Sequence, residues 1–531
     1  MKAIRPRLFI AALACNASVI TAQSSSGKTP IRAAGDCPTN LAPRFGAPVV
    51  GSGWTAQLIA ANLTKPRGIV FDQRGALLVV QQGSGIVRLT FTDYGGTCLV
   101  VNETTTVVDN PDLNHSLELS AEGCELYAST SDKVFRWPYD SRTGTVGENE
   151  TLVANMSNTD HVTRTLLLSR KSPNTLLVSR GSSENMDPAA LQIATGHSQV
   201  RAFDISDLPS DSGGRQRPYN YPSEGRLLGW GLRNDVGVAE HPVTGGIYSV
   251  ENSADGLYRY GYDIHEDNPG EEMNFLGSLD GNGNGSAGDQ SGGNYGYPLC
   301  FALSHTDGFP GTGDMTVGSQ FALGDVIINS QVINDTTCAR DYIPPRLTFQ
   351  AHTAPLDIIF NPEGDTAYVS FHGSWDRTHP AGYVVSTVDF DSAAGEPLAP
   401  ADSTHAVTAD ILSNADLSRC PDACFRPVGL AWDGQGRLFV SSDATGEVYV
   451  LQRAEFSISG GGGFGFGFGG EDGSDGDTGS GINFGNGTGT DTTSATGTSE
   501  PFLVSMSTRD RPGVEVLWLA LLVTMIFGVL S

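Results

Sequence analysis

One pattern constrains this chain more than any other: an apolar strand, a turn rich in Gly, Pro, Asp or Asn, and a second apolar strand ending in a small or polar residue. It runs as RGIVFDQRGALLVV from Arg67, LELSAEGCELYAS from Leu117 and TLLLSRKSPNTLLVS from Thr165. It returns as VGVAEHPVTGGIYSV from Val236, LDIIFNPEGDTAYVS from Leu356 and VGLAWDGQGRLFVSS from Val428. Short apolar runs bounded by turn residues read as β-hairpins, and a degenerate repeat of them reads as an array of similar units. Six copies, separated by roughly 40–120 residues that hold further strands and insertions, predict an all-β, six-bladed β-propeller. Each copy is then the inner hairpin of one blade; an elongated β-sandwich is the alternative architecture.

Composition agrees with a large β fold. Glycine accounts for 66 of 531 residues and apolar residues for only 39 %, a poor basis for a helical bundle. The 59 acidic against 32 basic side chains give a formal charge of −27, which argues against a surface built to neutralise phosphates, so no nucleic-acid partner is expected. The longest gap between hairpins, about 263–347, carries DGNGNGSAGDQSGGNYGYP from Asp280 and reads as an insertion over one face. Asp280, Asn282 and Asn284 alternate as in some calcium loops, but the bidentate Glu of an EF-hand is missing, so a solvated turn is the expectation.

Both ends read as processing signals. Lys2, Arg5 and Arg7 precede an apolar run from Leu8 to Ala14, with small residues at Ala17 and Ala22, the pattern of a secretory signal peptide over 1–22. From 456 to 507 the chain is Gly, Ser, Thr and Asp with a small FGFGFGG repeat, a flexible stalk too poor in apolar residues to offset ordering entropy. Residues 508–531 end in an apolar stretch from Trp518 to Leu530 with no basic residue after it. That stretch is short for a spanning helix and suits a removable glycosylphosphatidylinositol signal, giving an extracellular, lipid-anchored protein at the cell surface. A short transmembrane helix or a docked apolar tail is the alternative. The folded part is then 37–455. Loss of Cys15 with the leader leaves seven cysteines; the expected pairs are Cys37 with Cys98, Cys300 with Cys338 and Cys420 with Cys424, with Cys124 free. Sequons at Asn62, Asn102, Asn114, Asn149, Asn155, Asn284, Asn334 and Asn486 fit a secreted glycoprotein.

In a propeller the first strand of every blade lines the central channel, so the residues just before these strands converge on one mouth. They include Arg67, His115, His161 with Arg164, Arg233 with Asn234, His352, and Arg426. A strongly acidic chain has thus placed basic or imidazole groups at all six positions. Any one could be a solvated turn cation; six in register predict a pocket for a small molecule with several carboxylates. Arg supplies bidentate, always-charged forks and His can take a proton near neutral pH.

The segments PRGIVFDQRGALLVVQQGSG, LNHS, GLRNDVGVA, GGNYGYP, QAHTAPL, FHGSWDRTHPAGY and FRPVGLAWDGQGRLFVSSDATGEVY resemble the sorbosone and soluble glucose dehydrogenases that use pyrroloquinoline quinone (PQQ), and most closely the fungal PQQ-dependent pyranose dehydrogenases. The resemblance covers nearly all of 37–455, and HGSW followed by RPVG is its most specific part. It implies a six-bladed propeller holding PQQ and Ca2+ over the channel. It implies that His161 is the general base that takes the proton of a sugar's anomeric hydroxyl as hydride passes to the quinone C5. By the same resemblance Arg233 and Asn234 touch the quinone oxygens, and Arg67, His352, Arg377 and Arg426 contact the cofactor carboxylates. His372 either adds to this wall or packs behind it. Calcium is expected to act as a Lewis acid on oxygens after the fourth hairpin, with Ser253 and Asp255 as the ligands chosen. A glycan on Asn114 would crowd the mouth, so either that sequon is unused or His115 points elsewhere. No haem-binding or cellulose-binding module is recognised, so electrons are expected to leave to a separate acceptor: a cytochrome, a small quinone or a copper oxygenase. The competing readings are a calcium-dependent lactone-hydrolysing propeller, whose mouth would be acidic, and a non-catalytic propeller at the cell wall.

Overall fold

The computed structural model describes residues 37–279, 290–328 and 331–454. The expected leader, stalk and anchor signal, and the turn at 280–284, lie outside the described residues. Each repeated hairpin is the innermost antiparallel pair of one sheet. The inner strands are Pro66–Phe71, Leu117–Leu119, Leu166–Leu168, Asp235–Glu240, Pro355–Phe360 and Pro427–Trp432. They define blades one to six in chain order. Their partners are Leu77–Gln81, Glu125–Ser129, Thr175–Arg180, Gly246–Glu251, Thr366–Phe371 and Leu438–Ser442. Further strands widen every blade to at least four. Each inner strand neighbours the next around a complete ring, blade six against blade one: the protein is a six-bladed β-propeller. The ring is fastened by the early strand Trp54–Ala60, which pairs antiparallel with the last strand, Glu447–Arg453, as the outer strand of blade six.

The hairpins repeat because their turn chemistry repeats. In blade one the Asp72 Oδ1 atom accepts from the amides of Arg74 and Ala76, and in blade six Asp433 does the same for Gln435 and Arg437. Gly75 and Gly436 then take φ of 77° and 74°, the left-handed conformation that closes such a turn and that a β-carbon would strain. The strands themselves are Val-, Leu- and Ile-rich because each blade is buried on both faces between its neighbours. The core accordingly divides into inter-blade clusters, such as Leu78, Val80 and Ile86 of blade one against Leu126, Ala128 and Trp137 of blade two. Another joins Tyr248, Met273 and Phe275 of blade four to Ile358, Val369 and Phe390 of blade five.

The long gap is an insertion within blade four, between its third strand, Glu271–Ser278, and its fourth, Leu347–Phe349. Its described part holds short hairpins and a helix, Asp335–Asp341, capped by the Asn334 side chain. Disulfides join Cys37 to Cys98, Cys300 to Cys338 and Cys420 to Cys424, the three expected pairs. Cys124 is not free: it too is disulfide-bonded. Among the described residues no helix is long and apolar enough to cross a membrane.

Candidate active site at the channel mouth

A hairpin begins and ends at the same rim. The residue before the first strand and the residue after the second therefore face one mouth, and both sets contribute. In blade three His161 precedes the inner strand, while Ser182 follows the second strand. His161 Nδ1 lies 2.8 Å from Ser182 Oγ and 3.1 Å from Ser182 O. Because Ser182 Oγ donates to Glu184 O at 2.8 Å, and a carbonyl can only accept, His161 must carry its proton on Nδ1. Its Nε2 then keeps the lone pair. Burial first, and the neighbouring Arg233 charge second, push the imidazole down to about 4, so it is neutral at ordinary pH. The backbone at His161 has φ of 34°, a conformation rare for a non-glycine residue and often stored at functional sites.

Blade four supplies Arg233 and Asn234, both buried. The Arg233 guanidinium donates to Asn185 O, Asn252 O, Asn185 Oδ1 and, at 2.9 Å, Asp255 Oδ2, and is thereby held rigid. Asp255 Oδ1 lies 3.4 Å from Nδ1 of His352 in blade five, whose Nε2 donates to His265 O at 2.6 Å. Burial works against the charged imidazole, but the hydrogen bond to Asp255 and the Glu271 carboxylate outweigh it and raise the His352 pKa above its ordinary value. Asp255, His352 and Asp376 form a group whose potential ligand atoms all lie within 4.8 Å of one another. Gly181 makes room for the His161 half of the mouth: a β-carbon there would fall on the Asn234 carboxamide and 2.9 Å from His161 Cβ.

The opposite half joins blades five, six, one and two. Asp443 follows the second strand of blade six and accepts from Arg67 Nη1 at 2.7 Å and pairs with His372 Nε2 at 2.8 Å. Burial opposes its charge, but His372 and Arg67 together hold its carboxyl far below the usual carboxylate range. Arg67 Nη2 lies 3.1 Å from His115 Nδ1. Burial, then the Arg67 charge, hold His115 well below its usual value, so His115 accepts this bond as a neutral ring. Arg426 donates to His372 O and Gly373 O at 3.0 and 2.9 Å. Its side chain is packed 5.4 Å from the centre of the Tyr383 ring.

The structure thus brings together Arg67, His115, His161, Arg233, Asn234, His352 and Arg426 around one mouth, and places His372 in the wall through Asp443. It separates three others. Arg164 is fully buried and donates to the carbonyls of His161, Thr163 and Met156, bracing the His161 loop from behind. Arg377 has its guanidinium engaged by the protein itself, donating to Glu266 O and Asp267 across in blade four and to His379 O in its own segment. Asn114 is buried and its Nδ2 donates to Val162 O at 2.9 Å, which leaves no room for a glycan there. Ser253 donates its amide to Glu271, on the floor beside Asp255. Residue-level reading missed Asp443, Asn185, Ser182 and Asp376. The available signal was their position just after a second strand or within the rim segments, since strand exits share the rim with strand entrances.

These residues suit a polyanionic organic cofactor. The Nε atom of Arg67 is buried with no hydrogen-bond partner, an expense a guanidinium bears when an acceptor is still to come. A hard divalent cation would take oxygen rather than imidazole ligands; Asp255 and Asp376 both present carboxylate oxygens at the mouth, so the donor set fits calcium through them.

The chain matches a family described as TrAA12-like over residues 48–454. A Hypocrea jecorina protein named a pyrroloquinoline quinone-dependent sugar dehydrogenase is 50 % identical over 422 residues, covering 79 % of this chain and 93 % of that protein. A pyrroloquinoline quinone-dependent pyranose dehydrogenase of Coprinopsis cinerea is 36 % identical, with 78 % of this chain matched to only 56 % of that longer protein. The holo form of its PQQ domain superposes with a TM-score of 0.71, covering 78 % of this chain and 99 % of that domain. A calcium structure of a Trichoderma reesei family AA12 carbohydrate-active enzyme, 51 % identical, superposes with a TM-score of 0.74 over 78 % of this chain and all of the other.

Proposed function

Since the chain belongs to the TrAA12-like family, we propose that it is a PQQ- and calcium-dependent sugar dehydrogenase that oxidises an aldose or ketoaldose at its anomeric carbon. The observation that carries this reading is His161: a neutral imidazole, its Nδ1 proton held by Ser182 and its Nε2 lone pair left for a substrate, set in a ring of cations. When bound, PQQ supplies a quinone able to accept hydride from the anomeric C–H.

The chain's own residues do the rest. His161 Nε2 takes the proton of the anomeric hydroxyl, as a positioned base whose pKa lies below the working pH. Arg233 and Asn234 present donors where negative charge develops, and the four bonds on the Arg233 guanidinium mean that little reorganisation is needed there. Arg67, Arg426 and His352 would hold the cofactor carboxylates, Arg67 through its unpartnered Nε. Arg377 would act from the rim, by fixing the segment that carries Asp376. Asp255 and Asp376, with Ser253 beside them, would hold calcium, a Lewis acid. Electrons would pass to a separate acceptor, a cytochrome, a quinone or a copper oxygenase. Secretion and a glycosylphosphatidylinositol anchor complete the proposal, and the disulfides support an oxidising compartment.

Titration of PQQ into the apo full chain, with and without calcium, tests the reading. Saturable one-to-one binding that weakens at least tenfold in Arg67→Ala and Arg426→Ala is expected. Absence of saturable binding in the wild type rejects it.

A further inference from the structure

Beside the mouth lies a second concavity, a half-open groove of about 950 Å³ between blades four and five. It has the size of a ligand pocket. It begins at Thr353, next to His352 of the mouth, and at Arg377 and His379, next to Asp376, and it runs outward to Val407 and Leu417. We propose that this groove binds the body of a neutral oligosaccharide whose reducing-end unit occupies the mouth. This rests on the sugar dehydrogenase reading above and extends it, making an oligosaccharide rather than a free monosaccharide the preferred substrate.

The lining chooses the chemistry. Asp267, Asp307, His305, His379 and His405 offer acceptors and donors suited to hydroxyl groups, while Phe349, Phe371 and Val384 supply an apolar floor suited to the C–H faces of sugar rings. No lysine lines the groove, and its one guanidinium, Arg377, already donates to Glu266 O, His379 O and Asp267. A phosphorylated or uronate-rich chain would therefore meet carboxylates with no lysine and no unengaged guanidinium, whereas a neutral chain meets hydrogen-bonding groups and the apolar floor. At the mouth end the same segment carries Trp375, whose indole is 68 % exposed. Its neighbour Asp376 accepts from Gly256 N at 3.0 Å, which pins the segment between the two blades. An exposed indole on a pinned rim is a ready platform for a pyranose ring.

The test uses cellotetraose, maltotetraose and xylotetraose beside glucose and xylose, titrated calorimetrically into the apo full chain. The variants are the double change His305→Ala with His405→Ala, all exposed positions, and Thr404→Trp, which fills the groove. The expected result is that at least one tetraose binds ten times or more tighter than its monosaccharide and that both variants remove this advantage. With PQQ loaded, the ratio of kcat/KM for that tetraose to that for its monosaccharide should fall at least tenfold in both. No tetraose advantage in the wild type, or an advantage that survives both variants, overturns the proposal. Because the calorimetric readout needs no turnover, a chain that oxidises no sugar would reject the dehydrogenase reading while the groove is still decided by binding.

Discussion

At the scale of the residue, the proposed function turns on which atom of His161 carries the proton, and the Ser182 carbonyl and the Glu184 carbonyl decide it together. His161→Ala should lower kcat/KM about 10²–10⁴-fold, the usual contribution of a positioned base, while PQQ affinity measured by titration changes less than threefold. With the imidazole pushed down to about 4 from 6.5, the basic form persists above that value, so the acid limb of the kcat/KM profile should fall well below pH 6.5. The same shift bears on stability. The unfolded chain protonates this histidine below its ordinary value and the folded chain does not, so its contribution is lost as pH falls from 6.5 towards 4. Asp443 follows the same sign at lower pH: its depressed carboxyl favours the fold above the ordinary carboxylate range and loses that contribution in stronger acid. Asp443→Asn removes the shared partner of Arg67 and His372 and should destabilise the fold by about 3–5 kcal/mol in denaturant titration. His161, Arg67, Arg233 and Arg426 were legible in the sequence because each stands at, or within a few residues before, the start of a hairpin's inner strand. Arg164 stands in a similar position yet is buried, since a three-residue offset within the His161 loop turns it inward, an orientation that spacing alone does not encode.

At the scale of the element, the hairpin is the unit that sequence reveals best, because its apolar strands and its Asp-to-Gly turns are local chemistry. What the hairpin does at its far end is less visible: Ser182, Asp443 and Asp255 reach the mouth only because the second strand returns to the rim where the first began. Gly181 shows how tightly that return is built. Gly181→Ala should displace both Asn234 and His161, and we expect at least a tenfold loss of kcat/KM with folding retained by circular dichroism; wild-type activity would show that the strand end yields. The insertion of blade four was legible as a gap but not as structure, since its short hairpins and the helix Asp335–Asp341 depend on the Cys300–Cys338 bond and on packing against distant segments.

At the scale of the whole molecule, two devices far apart in sequence hold the ring shut. The strand Trp54–Ala60 closes blade six, and Cys37–Cys98 ties the segment before it to blade one. With its cysteines 61 positions apart in sequence, that disulfide should contribute about 4 kcal/mol by loop-closure entropy, read as a lowered denaturation midpoint in Cys37→Ser. The formal charge of −27 describes the molecule as a whole and hides the cationic mouth, which exists only once six distant segments share a rim. The central claim is that at this mouth hydride leaves an anomeric carbon while His161 takes the proton of the hydroxyl on that carbon. It is tested most directly by dye reduction with 1-deuterated and unlabelled sugars, using PQQ-loaded wild type and His161→Ala protein. The account predicts sugar-dependent reduction by the wild type, slowed by deuterium, and at least a hundredfold loss in the variant at undiminished PQQ occupancy. Equal turnover by the two proteins would contradict it.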